Sequence, residues 1–163
     1  MAPVLRPMTG EDWPQAAAIY RQALEEGRST FQTLCPSWEE WDRGHLPVCR
    51  LAAEEAGRLA GWCALSPTSS RECYRGVAEV SIYLDRAFRG RGVGRMLLER
   101  LCAQSEEEGI WSLYAAVFAQ NQASIRLFRS CGFREIGYRE RIARDRFGQW
   151  QNTVLLERRS PTP

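Results

Sequence analysis

The clearest chemical capacity in this sequence lies in Arg89-Gly90-Arg91-Gly92-Val93-Gly94-Arg95, a glycine-rich turn charged by arginine. A helix N-terminus leaves successive backbone N–H groups without intrahelical partners. Such an end attracts anions, and glycine lets a phosphate come close to the backbone. Neighbouring arginines add charge-assisted hydrogen bonds. The chemistry is that of a phosphate cradle; the plainer reading is a tight strand-to-helix turn with solvated arginines. G-x-G-x-x-G and G-x-x-x-x-G-K-[ST] are both absent, which excludes Rossmann and P-loop sites.

Just upstream, Val80, Ile82 and Leu84 alternate with Glu79, Ser81 and Tyr83. That period of two belongs to a strand and places Glu79, Ser81 and Tyr83 on one face. Arg71, Tyr74 and Arg75 precede it. They can hold a carboxylate or a tetrahedral oxyanion group, for which a planar guanidinium is suited, or form a solvated loop rim. Downstream, Asn121 opens an apparent helix as a candidate N-cap.

These residues need elements to position them. Val4 to Pro7 reads as a first strand. Thr9 with Asp12 starts a helix with an apolar face of Ala16, Ile19, Tyr20 and Leu24. Ser37 and Glu40 repeat the capping pattern before Trp41. Leu51–Glu54 and Leu59–Leu65 read as strands turning at Gly57, followed by Val77–Leu84. A helix from Val93 runs to Glu108 and stops at Gly109. Leu113–Phe118 is a strand and Asn121–Ser130 a helix. Arg134–Ile142 and Trp150–Leu156 close a hairpin around Asp145–Gly148. The order is β-α-α-β-β-β-α-β-α-β-β, a mixed α/β sheet. We expect residues 1–163 to form one domain, with a flexible tail over 160–163.

The totals narrow the classes. A net charge of +2 gives no reason to expect a nucleic-acid partner. No apolar run approaches the ~20 residues of a membrane helix, and no signal peptide is visible, so a cytoplasmic location is expected. The six cysteines are dispersed and there is one histidine, so no metal site is expected. The thiols are expected to be free and mostly buried. His45 and Glu106-Glu107-Glu108 read as solvated surface.

Arg89-x-x-Gly92-x-Gly94 resembles the acetyl-CoA motif of the GNAT acetyltransferases, and Asn121-x-x-Ser124-x-x-Leu127-Phe128 with Gly132-Phe133 resembles their second block. Ser29-Thr30-Phe31, Arg71-x-x-Tyr74-Arg75-x-x-x-Glu79-x-Ser81-x-Tyr83 and Phe147-Gly148-Gln149-Trp150 resemble the phosphinothricin and methionine-sulfoximine branch. The resemblance implies a GNAT fold, a mostly antiparallel central sheet flanked by helices. It implies transfer of acetyl from acetyl-CoA to the α-amine of a small amino acid or analogue, by direct attack in a ternary complex. It also implies a homodimer with substrate sites near the interface.

On that reading the amine must lose a proton, and Glu79 is the candidate base, directly or through water. Its alternative is an ion pair with Arg71 or Arg75. A backbone N–H from Ile82, Tyr83 or Leu84 would hold the acyl carbonyl. The diphosphate would lie on Gly90–Arg95, behind Arg89. Asn121 would bond the pantetheine arm and Ser130 reach the nucleotide end. Phe31 and Trp150 are pocket walls or core, with core favoured for Trp150.

Two residues depart from the family. Phe128 stands where a tyrosine or histidine would protonate the leaving thiolate, and Trp150-Gln151-Asn152 stands where the branch reads W-x-D. The competing functions are acetylation of a protein N-terminus, a polyamine or an aminoglycoside, or a non-catalytic acetyl-CoA-binding module.

Overall fold

The computed structural model describes residues 2–162. Strand β1 is Val4–Pro7, and helices α1 and α2 are Trp13–Glu26 and Trp38–Gly44. Strands β2, β3 and β4 are Leu51–Glu55, Arg58–Pro67 and Val77–Leu84, followed by helix α3, Val93–Glu107. Then come β5, Ser112–Phe118, α4, Gln122–Ser130, β6, Arg134–Arg144, and β7, Trp150–Arg159. The expected element order is the observed one, with three short 3-10 turns added at Gly10–Asp12, Glu72–Tyr74 and Arg86–Phe88.

The capping pattern at α2 is reciprocal. Ser37 Oγ accepts from the Glu40 N–H at 3.2 Å, and Glu40 Oε1 accepts from the Ser37 N–H at 3.3 Å. At Thr9 Asp12 Oδ2 accepts from the Thr9 N–H at 2.9 Å, and its carboxylate also takes Arg6 at 2.7 Å. The Arg6 guanidinium holds the Asp12 carboxyl below its ordinary range. Helix α1 then starts one residue later, with Pro14 in its first turn.

The seven strands lie in the order β1-β2-β3-β4-β5-β7-β6. Only β4 and β5 are parallel; every other pair is antiparallel. Helices α3 and α4 cover one face with Val93, Leu97, Leu98, Leu101, Ile125 and Phe128. Helices α1 and α2 cover the other with Trp13, Ala16, Ile19 and Trp41, packed on Trp62. The Trp62 indole is satisfied there, donating to the Ala16 carbonyl at 3.1 Å.

Three expectations are corrected. Trp150 is not core: its ring is 53% exposed, with the Arg144 guanidinium 4.6 Å from its centre. It begins β7 beside the hairpin turn, paired with Arg144 on the edge strand β6. His45 is half-buried rather than solvated, stacked on Trp41 at 4.1 Å and bonded to the Trp41 carbonyl. Burial pulls its pKa down. Cysteines 49, 63 and 102 are buried as expected, but Cys35 and Cys131 are half-buried and Cys73 is exposed. Ser160 is tied by its N–H to the Trp111 carbonyl at 2.7 Å, so the expected tail begins anchored; Pro163 lies outside the described residues. No helix among the described residues is long and apolar enough to cross a membrane.

Candidate active site

The sheet opens where its two parallel strands part. Strands β4 and β5 pair only over Val77–Glu79 and Ser112–Tyr114. Beyond that, β4 stays with β3 out to Leu84, while β5 stays with β7 out to Phe118. Backbone groups on the facing edges of this gap have no strand partner, and such groups must find one elsewhere. Glu79 is the last paired residue before the gap.

A cleft of about 1000 Å³ lies on one side of the opening. Of the residues singled out in the sequence, Ile82, Tyr83, Leu84, Arg89, Gly90, Gly92, Val93, Gly94, Arg95 and Asn121 line it. Gly90 and Gly92 have φ of +74° and +81°, and a Cβ at either would stand in open space. The tight backbone therefore turns an uncovered edge toward the cleft. The first helical hydrogen bond of α3 is from Met96 to the Gly92 carbonyl, at 3.1 Å. The amides of Val93, Gly94 and Arg95 thus precede the ladder and are available to an anion.

The arginines here are tied to carboxylates. Arg89 pairs with Glu26 at 3.0 Å, and Arg95 with Glu99 at 2.7 Å. Arg91 pairs with Glu55 at 2.9 Å and does not line the cleft. Such exposed pairs are weak and can be shared with an incoming phosphate. Ser130 also lies outside the cleft; its hydroxyl donates to the Leu127 carbonyl at 2.7 Å.

A second cavity of about 340 Å³ lies across the opening. Glu79 and Phe31 line it, together with Thr30 of the branch motif and with Tyr20, Phe118 and Thr153, none of which was a candidate site residue. Phe31 and Phe118 meet at 4.5 Å, and Tyr20 stands edge-on to Tyr83 at 5.0 Å. Glu79 is the only charged residue in the lining. Among the described residues its carboxylate has no ion pair, and burial raises its pKa. The alternative pairing with Arg71 or Arg75 is not formed: Arg75 pairs with Glu72 at 3.2 Å, and Arg71 lies over the Tyr74 ring at 5.5 Å. Arg71, Tyr74 and Arg75 are all exposed and line neither cavity.

Ser29, Ile82, Tyr83, Asn121 and Ser124 border both cavities, so the two adjoin at the opening in the sheet as a candidate passage. Asn121 caps α4, its Oδ1 accepting from the Ser124 N–H at 3.2 Å. The tip of the β6–β7 hairpin closes the larger cleft with Asp145, Phe147 and Gln149. Arg146 pins that tip to α1 through the Leu24 carbonyl, at 2.7 Å. Asn152 lies opposite the β6 bulge between Arg139 and Ala143: its Oδ1 accepts from the N–H of Arg141, which has φ of +47°. The departure from the branch's aspartate therefore falls on a structural contact rather than in either cavity.

A helix start with open amides, a parted parallel strand pair and a second cavity holding a half-buried carboxylate give the molecule a candidate transferase site. The comparisons name its class. The acetyltransferase (GNAT) family model matches residues 11–133, and the chain belongs to that family. It is 33% identical over 164 residues to the phosphinothricin N-acetyltransferase of Alcaligenes faecalis, covering 94% of this chain and 81% of that one. It is 32% identical to the L-methionine sulfoximine/L-methionine sulfone acetyltransferase of Salmonella typhimurium, covering 86% of this chain and 81% of that one. The crystal structure of a phosphinothricin acetyltransferase from Sinorhizobium meliloti in complex with AcCoA superposes with a TM-score of 0.87. That match has 27% identity and covers 98% of this chain and 89% of that one.

Proposed function

We propose that this GNAT-family chain is an acetyl-CoA-dependent N-acetyltransferase acting on the amine of a small amino acid or analogue, by direct attack in a ternary complex. One observation carries the reading: two cavities that adjoin at the opening in the sheet hold the open glycine cradle and an unpaired, half-buried Glu79. The relatives named for phosphinothricin and methionine sulfoximine support the acceptor class.

Acetyl-CoA would supply an activated acetyl thioester. The amides of Gly90–Arg95 and the Arg89 side chain would hold its diphosphate, and Asn121 its pantetheine arm. Glu79 takes the proton that the attacking amine must lose, and burial keeps its pKa high enough for that task. A free backbone N–H at Ile82–Leu84 polarises the carbonyl. Phe31, Phe118 and Tyr20 exclude water from the acceptor.

The acceptor's anionic group needs a cation, and although Arg139, like Arg71 and Arg75, is exposed and lines neither cavity, the register favours it. Arg139 pairs with Thr153, and Thr153 with Phe118; the last two wall the acceptor cavity. Paired residues share a sheet face, and strands lie about 4.8 Å apart. Arg139 therefore stands about 10 Å from Phe118 on the cavity side, within reach of an extended arginine.

We also read residues 1–163 as one acetyltransferase unit, since the sheet takes strands from Val4 to Arg159. A homodimer through β6 fits the exposed Ile136, Tyr138 and Ile142 on that uncovered edge.

A thiol-release screen of acetyl-CoA against amino acids, methionine sulfone, methionine sulfoximine and phosphinothricin tests the function. We expect turnover with at least one of these. Tight acetyl-CoA binding without thiol release for any amine would favour the binding-module reading instead.

A further inference from the structure

The family's proton donor is missing at Phe128, whose ring is buried against Phe133 at 5.0 Å and borders the acceptor cavity. One helical turn earlier on the same face stands Ser124, since residues four apart on a helix are neighbours. Ser124 borders both cavities and is half-buried.

Its hydroxyl differs from those of the other helical serines. Serine in a helix ordinarily bonds back to a carbonyl of the preceding turn. Ser105 does so to Cys102 and Ser130 to Leu127, each at 2.7 Å. Among the described residues Ser124 Oγ has no such partner. The Asn121 carbonyl three residues back accepts the Ile125 N–H at 3.2 Å, and the Asn121 side chain takes the Ser124 N–H. A half-buried hydroxyl with no internal partner, at the neck of the passage, is free for a ligand atom that crosses that neck.

We propose that Ser124 donates a hydrogen bond to the sulfur of the departing coenzyme A, in place of the acid that Phe128 lacks. This rests on the acetyltransferase reading above. Acetyl transfer forms the new N–C bond and breaks the C–S bond, leaving the electron pair on sulfur. The amine's proton goes to Glu79 and then to solvent, and the thiolate is later protonated by solvent. Ser124 keeps its own proton, because an aliphatic hydroxyl is a far weaker acid than a thiol of pKa about 8.5. Its contribution is to stabilise the charge that develops on sulfur.

Ser29, which is exposed, and Tyr83 also carry hydroxyls that border both cavities. The Tyr83 ring is packed between Tyr20 and Trp62, and burial raises its pKa, so it is a poorer acid than an ordinary tyrosine.

The test needs no turnover. Difference absorbance of bound coenzyme A reads the ionisation of its thiol as pH is raised, in wild type and Ser124→Ala. We expect that pKa to lie about half a unit to one unit lower in the wild type, as for losing one hydrogen bond to the charged form. Equal values in the two proteins overturn the proposal. Kinetics give a second arm. We expect Ser124→Ala to lower kcat about tenfold with the KM for acetyl-CoA little changed, and Phe128→Tyr in that background to recover most of the loss. A raised KM with unchanged kcat overturns it too, assigning Ser124 to the cofactor arm instead. Wild-type protein that binds coenzyme A but acetylates no amine would instead overturn the acetyltransferase reading; an unchanged Ser124→Ala in an active enzyme overturns only this one.

Discussion

The two halves of the passage are built in opposite ways. The donor half rests on one continuous segment, Arg89–Arg95, whose backbone presents amides at the start of α3. The acceptor half is assembled from side chains that are far apart in the chain: Tyr20 on α1, Thr30 and Phe31 on the following loop, Glu79 on β4, Phe118 on β5 and Thr153 on β7. A local backbone device tolerates change in its side chains but not in its glycines. An assembled pocket depends on particular side chains and on the register that delivers them.

Breaking the donor half should give the largest effect. Gly92→Glu places a carboxylate in the open space where a phosphate would lie. One like-charge pair at about 4 Å costs about 4 kcal/mol at an effective dielectric near 20, so we expect about a 10³-fold loss of coenzyme A affinity by calorimetry. The change also strains a backbone at φ of +81°. Gly57→Ala is the matching control, at φ of +78° with the same open space but in the β2–β3 turn. It should lose a similar small amount of stability and no affinity. Unchanged affinity in folded Gly92→Glu would remove the cradle assignment.

Breaking the acceptor half should leave binding of the donor intact. Glu79→Gln is expected to lower kcat about 10²-fold, the usual scale for a lost general base, with coenzyme A affinity unchanged. The sign of its pH dependence follows from burial, which raises the pKa and so favours the protonated acid. The base is active when deprotonated, so wild-type kcat should rise as pH climbs through that raised pKa. Glu79→Gln should lack this acidic limb. A variant with normal kcat and the same limb would make Glu79 a structural residue.

The register argument sharpens the contrast further. Amidating the acceptor's carboxylate should cost the wild type about tenfold or more in kcat/KM, as for losing a charge-assisted pair. Arg139→Ala should shrink that discrimination more than Arg71→Ala or Arg75→Ala. The reverse ranking would return the anion site to the β3–β4 loop.

The smallest effect on chemistry should come from the β6 edge, remote from the cradle. Tyr138→Glu and Ile142→Glu charge exposed positions on β6. We expect sedimentation to show a shift toward monomer, with coenzyme A affinity within about twofold because no cradle residue is touched. An unaltered sedimentation coefficient would take β6 out of the interface.

Much of the fold was legible because its signals are local. Alternation marked β4 from Val77 to Leu84 at its observed bounds, and Gly109 ended α3 with a positive φ of +75°. Periodicity underread the hairpin, which extends to Arg144 and Arg159, because β6 is exposed along almost its whole length. An edge strand with both faces wet has little reason to alternate. For the same reason Trp150 read as core: its size is visible in the sequence, whereas its exposed place beside the hairpin turn is not.

The sequence by itself determined the family and the glycine-rich helix start, since the glycines and arginines proposed to make an anion site are contiguous and would act through their own backbone. It also placed Glu79 on the face that it shares with Tyr83. Only the tertiary structure decided what stands around that carboxylate. The parting of β4 from β5 depends on where a parallel pairing stops, and neither strand's composition states that. The same holds for the turning of Arg71, Tyr74 and Arg75 toward solvent, and for the hydroxyl of Ser124 left without a carbonyl to bond. Contacts of this kind join residues separated by many others along the chain, and their geometry exists only once the sheet has closed around them.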